Sequence, residues 1–249
     1  MDYMLENETL DDLQLKGIYI IQKKDGFRFG VDAVLLSNFA RVKKKESVMD
    51  LCSGTGIVPF ILAGKTESDN ICGMEIQKDM VEMANRTVEY NSLQHRVSFI
   101  NEDLTNFDKL KKLEKYNVVT VNPPYKTGNC GIVNQEDKLA IARHEICCNL
   151  EQVIEAAKIL LADGGRFYMV HRPERMVDAV TLMRKHKIEP KRIKMVIPMP
   201  GKAPNIMLIE GKRNGGRFFK WEPDLCIHNK DGSYTDEINQ LYKSEKCIL

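Results

Sequence analysis

Short apolar runs alternate with amphipathic stretches along the 249-residue chain. Val48–Leu51, Ile71–Glu75, Val97–Ile100, Val118–Val121 and Phe167–Val170 are β-branched or apolar and bounded by Gly, Asn or charge. They read as buried strands of a parallel sheet. Between them, Gln77–Tyr90 sets Met80, Val81, Ala84 and Val88 on one helical face, and Leu150–Leu161 and Pro173–Lys187 repeat that spacing. Pro173 falls near its helix start, where a missing N–H costs least. Asp163-Gly164-Gly165 predicts a turn leading into a strand. The βαβα alternation predicts a doubly wound α/β fold. Two more strands, Ile193–Ile197 and Ile206–Glu210, follow; the prolines and glycine of 198–204 between them exclude helix. Upstream, Ile18–Gln22 and Phe27–Phe29 flank a Lys-Lys-Asp-Gly turn and predict a hairpin, and Ala33–Ala40 predicts a helix. The expected organisation is a single domain, residues 1–40 forming an N-terminal extension and residues 41–249 a catalytic core.

Composition narrows the class without naming it. No run of about 18 apolar residues exists, so no membrane span is expected, and the acidic start lacks a secretory pattern. Seven cysteines, none in C-x-x-C spacing, and scattered histidines predict reduced thiols, a cytoplasmic setting and no metal site. The net charge of +2 conceals an asymmetry: residues 166–222 carry 14 Lys+Arg against 5 Asp+Glu. Such a stretch reads either as a surface for a polyanion or as a solvated lysine-rich face.

The candidate chemistry gathers at strand ends. Asp50-Leu-Cys-Ser53-Gly54-Thr55-Gly56 follows the first core strand. A glycine turn there lets backbone approach a ligand and presents free N–H groups at a helix start. Glu75 ends the next strand, 21 residues after Gly54, where an acid can accept ribose hydroxyls. A dinucleotide fingerprint would carry a third glycine where Pro59 stands, and Asp50 suits a cationic amino group. Both features favour S-adenosylmethionine over NAD. Asp103, followed by Leu104 after the third strand, can accept from the cofactor's adenine amine or cap a helix.

The fourth strand ends in Asn122-Pro123-Pro124-Tyr125, where two prolines must turn the backbone out of the sheet. The Asn122 side-chain oxygen and the Pro123 carbonyl can hold both N–H bonds of a planar amine, and Tyr125 offers a stacking face. Catalysis of that kind is mostly positioning.

These motifs together resemble class I methyltransferases acting on planar amino groups. The nearer likeness is to the bacterial tRNA1(Val) adenine-37 N6-methyltransferases. It is carried by Phe27-Arg28-Phe29-Gly30-Val-Asp32-Ala33, Ala142-Arg143-His144-Glu145, His171-Arg172-Pro-Glu174-Arg175, Pro200-Gly-Lys202 and Leu208-Ile-Glu-Gly211. The resemblance implies a Rossmann-like, seven-stranded, mostly parallel sheet with an antiparallel last strand and helices on both faces. It also implies cofactor contacts from Phe29, Gly30, Asp50, Ser53–Gly56, Glu75, Ile76, Asp103, Leu104 and Asn122, and an RNA partner, namely tRNA, with no stable protein partner. Arg28, Arg143, His144, Arg172 and Lys202 are candidate substrate contacts; Arg143 reads equally as an ion-pair partner of Glu145. Cys52-Ser53 departs from the glycines of many class I enzymes. The alternatives are a glutamine N5-methyltransferase acting on protein, a guanine N2- or DNA adenine methyltransferase, and a non-catalytic RNA-binding protein.

Overall fold

The computed structural model describes residues 3–25, 30–123 and 148–243. The core strands are β3 (Val48–Leu51), β4 (Ile71–Glu75), β5 (Val97–Asn101), β6 (Tyr116–Val121), β7 (Leu161–His171), β8 (Ile188–Ile197) and β9 (Ile206–Arg213). Two-residue strands β10 (Lys220–Trp221) and β11 (Leu225–Cys226) add to the outer edge of β8. The order is β10-β8-β9-β7-β6-β3-β4-β5, with β11 also on β8. The expected seven-stranded arrangement is therefore present, enlarged by two short edge strands. β9 alone runs against its neighbours, entering between β7 and β8 and pairing antiparallel with both. The proline-rich turn before it connects paired strands, as its composition requires.

Periodicity explains how the layers close. Strands β3 and β4 are buried throughout, since helices cover both sheet faces. On one face pack α1 (Val31–Phe39), α2 (Ile57–Lys65), α3 (Lys78–Tyr90) and α7 (Asp236–Lys243), around Phe39, Phe60, Leu62 and Tyr168. On the other lie α4 (Phe107–Leu110), α5 (Leu150–Leu160) and α6 (Met176–Lys185), around Leu51, Met74, Val121 and Phe167. Helix α5 opens on a capping box: Asn149 accepts from the Gln152 amide while Gln152 accepts from that of Asn149.

Two local expectations are corrected. Asp163-Gly164-Gly165 does not precede its strand but lies inside β7, as an irregularity between the Leu161↔Tyr116 and Arg166↔Val118 pairings. Gly164 takes φ +70° there, so the turn-forming residues reshape a strand instead of starting one. The N-terminal hairpin is also different. β2 (Tyr19–Lys23) pairs antiparallel with the upstream β1 (Glu8–Asp12), whose acidic sequence gave no strand signal. The expected partner Phe27–Phe29 lies outside the described residues. The other edge of β2 is capped by α3: Asn91 and Thr87 side chains accept from the Tyr19 and Ile21 amides. Pro173–Arg175 form a 3-10 turn that feeds α6, so the predicted helix starts in a tighter coil.

Candidate active site

The turn after β3 is built from backbone conformations that few side chains adopt. Cys52, Gly54 and Gly56 all have positive φ, at 53°, 55° and 88°. Cys52 adopts this region without being glycine, at a cost of roughly 1–2 kcal/mol. The Ser53 amide donates to the Met74 carbonyl and the Gly56 amide to the Ser53 carbonyl, which closes the turn. A Cβ on Gly56 would sit 2.4 Å from the Phe99 ring, and one on Gly73 of β4 2.3 Å from that ring and 2.6 Å from Ser53 Oγ. The turn therefore rests directly on β4 and β5.

Asp50 is almost fully enclosed beneath it, 2% exposed. Burial pushes its carboxyl up to about 7. The Thr120 hydroxyl, donating at 2.6 Å, and the nearby Ser53 hydroxyl oppose that rise, while Glu75 adds to it. Ser53 Oγ is close enough to influence Asp50 but forms no well-shaped hydrogen bond, leaving a buried hydroxyl without a partner among the described residues. Glu75 joins the turn to the next strand: Oε2 accepts from the Gly54 amide at 2.9 Å, and Oε1 from the Gln77 amide and side chain at 3.0 and 3.2 Å. Beside it, Ile76 exposes an apolar side chain, 40% accessible, at the sheet edge.

The third strand closes the same edge. Asn101 donates to the carbonyls of Glu75 and Ile76. Asp103 Oδ1 accepts from the Thr105 amide and hydroxyl, a local turn; the helix cap considered for it belongs to Asn106, which accepts from Lys109. Leu104 is buried beneath.

Strand β6 lies next to β3, with Leu51 opposite Val121. The residue after each strand therefore comes to the same place: half-buried Asn122 and buried Pro123 stand beside Cys52. On the other side, β7 ends at His171, 3% exposed, whose imidazole is held down at about 4, mainly by burial and then by Arg175. It is neutral at physiological pH.

Of the expected site residues, the structure gathers Asp50, Ser53, Gly54, Thr55, Gly56, Glu75, Ile76, Asp103, Leu104 and Asn122 along one edge. Gly30 stands at the start of α1. Arg172 reaches the same edge but donates to the Asn205 carbonyl, bracing the β8–β9 turn, on which Lys202 is exposed. Arg28, Phe29, Pro124, Tyr125, Arg143 and His144 lie outside the described residues. Sequence reasoning missed Thr120, whose signal was a lone hydroxyl in an apolar strand, and Cys148. The Cys148 sulfur accepts from the thiol of half-buried Cys52, which holds Cys52 protonated and pulls the Cys148 thiol down.

This edge fits S-adenosylmethionine. The orphaned Ser53 hydroxyl, the open space beside Gly54, the enclosed Asp50 carboxyl and the exposed Ile76 offer polar, cationic and apolar complements to such a molecule.

Comparison with known proteins agrees. The Methyltransferase small domain family model matches residues 25–189. A protein of Tolumonas auensis named tRNA1(Val) (adenine(37)-N6)-methyltransferase is 26% identical, over 91% of this chain and 92% of its own length. A protein of the same name from Bacteroides thetaiotaomicron is 26% identical over 92% of this chain and 96% of its own. Among solved structures, a predicted O-methyltransferase of Agrobacterium tumefaciens superposes with TM-score 0.68 at 18% identity, covering 86% of this chain and 97% of that one. The Methanocaldococcus jannaschii tRNA m1G37 methyltransferase gives TM-score 0.57 at 15% identity, covering 86% and 59%. No helix among the described residues is long and apolar enough to cross a membrane. The glycine turn, the acid-lined edge, the strand order and the family match converge: the chain belongs to the methyltransferase small domain family and is a class I, S-adenosylmethionine-dependent methyltransferase.

Proposed function

We propose that the chain methylates the exocyclic N6 amine of an adenine in tRNA. The observation that carries this reading is the register of β3 against β6, which sets Asn122 and Pro123 beside the Cys52–Gly56 turn. The names of the relatives that align over nearly the whole chain support the substrate class.

S-adenosylmethionine supplies an electrophilic methyl group on a sulfonium. The chain's residues would hold it from two sides. Asp50, beneath the turn, would compensate the cationic amino group, and Glu75, whose two oxygens already accept from the Gly54 and Gln77 amides, would use their remaining lone pairs on the ribose hydroxyls. Ile76 would cover one face of the adenine ring, and Asp103 would accept from its amine.

An adenine amine is a weak nucleophile, because its lone pair is delocalised into the ring. The Asn122 side-chain oxygen and the Pro123 carbonyl accept its two N–H bonds and turn the lone pair out of the ring plane. The sulfur–methyl bond would break as the nitrogen–carbon bond forms, leaving a neutral thioether; the amine proton becomes acidic in that step and passes to water, so the site requires no strong base beforehand. Tyr125 stacks on the target base once it leaves its helix or loop. Neutral, buried His171 adds no competing charge. Rate enhancement on this reading comes from positioning and fixed dipoles.

The test is transfer of labelled methyl to unmodified bulk tRNA, with mass spectrometry of the product nucleosides. N6-methyladenosine is the expected product. N2-methylguanosine, or transfer only to DNA or to a glutamine-bearing protein, would overturn the substrate assignment.

A further inference from the structure

The basic stretch of residues 166–222 proves uneven once folded. Arg166, Arg175, Arg184, Lys185, Arg192 and Lys194 are ion-paired with Glu46, Asp178, Glu189, Glu151, Glu210 with Glu222, and Glu237. Lys187, Lys191, Lys202, Lys212, Arg213, Arg217 and Lys220 have no ion pair among the described residues; Lys191 and Arg213 donate to carbonyls, and Lys212, Arg217 and Lys220 fall in one short segment. Residues 211–221, Gly-Lys-Arg-Asn-Gly-Gly-Arg-Phe-Phe-Lys-Trp, contain four cations, three aromatics and no acid.

This segment displays its aromatics. Phe218 is 91% exposed, Phe219 46% and Trp221 55%, and the residues from Arg217 to Trp221 are all exposed. A hydrophobic contact does not hold Phe218 out. Its φ of +93° is costly for a bulky side chain. Lys191 sustains it by donating from Nζ to the carbonyls of Gly216, Arg217 and Phe218 at 2.9, 3.2 and 2.8 Å. Phe219 packs edge-on against Trp221, with centroids 6.3 Å apart. The loop is thus braced from below and presents aromatic faces among unpaired positive charge.

Pairing locates it relative to the chemistry. Trp221 pairs with Ile193, Ile193 with Ile209, Ile209 with Met169, and Met169 with Val121, the residue before Asn122. Four strand spacings separate them, roughly 20 Å.

We propose that residues 212–221 form a second RNA-contact surface, on which Phe218 and Trp221 stack unpaired bases while Lys212, Arg217 and Lys220 neutralise phosphates. This rests on the reading of the substrate as RNA and adds where, away from the reacting adenine, that RNA is held. Exposed aromatics interleaved with cations suit single-stranded or loop nucleotides: every base offers a π-face, and phosphates supply the counter-charge. A purely apolar partner would leave the cations unmatched.

The full chain provides its own reporter, because Trp221 is its single tryptophan. Titration with an unmodified tRNA transcript should quench tryptophan fluorescence with the midpoint seen in an electrophoretic shift. Phe218→Ala should weaken tRNA binding about tenfold, in the range of one lost base stack. It should raise KM for tRNA, leaving kcat and S-adenosylmethionine affinity unchanged. Arg217→Ala should lower the slope of log K against log salt by about one, which Phe218→Ala should not. If tRNA is methylated yet Phe218→Ala binds it normally and the fluorescence does not respond, the surface does not contact RNA, while the substrate reading stands. Loss of a wild-type dimer in sedimentation of Phe218→Ala, with tRNA binding intact, would assign the patch to a second copy and also overturn the proposal. Failure to bind tRNA at all would remove both readings together.

Discussion

Thr120 Oγ1 donates to Asp50 Oδ1 at 2.6 Å, across a pair of residues that face each other directly in the parallel ladder of β3 and β6. A carboxyl enclosed in the sheet, under the glycine turn, thus accepts from a hydroxyl of the strand that ends at Val121, just before Asn122. That contact ties β3, which leads into the glycine turn, to β6, which leads into Asn122.

On the proposed role of Asp50, donor binding should depend on pH. Burial raises its carboxyl to about 7, so the folded protein holds this proton to higher pH than the unfolded chain does. Stability from this group is greatest at low pH and is lost as pH rises from the ordinary carboxylate range to about 7, by at most about 4 kcal/mol. A cationic ligand favours the ionised form. S-adenosylmethionine affinity should therefore rise about tenfold per unit from pH 5 to pH 7 and level off above. Calorimetry in buffers of different ionisation enthalpy should show proton release near pH 6.5, absent in Asp50→Asn. A flat affinity profile in the wild type would refute the role.

Asn122→Ala should lower kcat at least a hundredfold, in line with the loss of one preorganised polar contact, while donor affinity changes little. Equal loss of both in equilibrium binding and single-turnover assays would place Asn122 in cofactor binding only.

Glu75→Gln tests the joint between β4 and the turn. Both oxygens of Glu75 accept from backbone amides, so the amide of Gln must set an N–H against an N–H. The expected cost is about 1–3 kcal/mol of stability, with donor affinity down at least tenfold. Thermal melts with and without S-adenosylmethionine separate the two effects.

Arg192 is 7% exposed and bonds Glu210, Glu222 and the Phe39 carbonyl, with its guanidinium 4.0 Å over the Phe39 ring. Arg192→Ala takes from Glu210 its ion pair and leaves Glu222 only the more distant Arg41, at 3.7 Å, and should cost about 3–5 kcal/mol. Chemical denaturation would show it; a loss below 1 kcal/mol would mean the network is solvated.

Much of this was legible because one physical rule governs it. Buried parallel strands must be apolar, so the five central strands emerged from hydropathy, and their ends marked the turn, Glu75 and Asn122. Other features depend on partners distant in sequence. β1 is acidic, and its place is supported by its ladder with β2 and by Arg86 of α3, which meets Glu8 at 2.6 and 2.7 Å. The Gly164 irregularity uses the same residues as a turn, and composition does not separate the two. The basic stretch was visible as a count, but only the fold shows which cations are already matched.

The capping of β2 by α3 also bears on the order of synthesis. The Tyr19 amide finds its acceptor in Asn91, 72 residues later, and Glu8 finds Arg86 78 residues later. On a ribosome, which works from the N-terminus, the first ribbon must wait in the open until α3 has emerged. A nascent chain stopped before Tyr90 should therefore be cut by protease between Glu8 and Lys23, and one extended past β5 should resist. Early cleavage resistance would show that the ribbon folds alone.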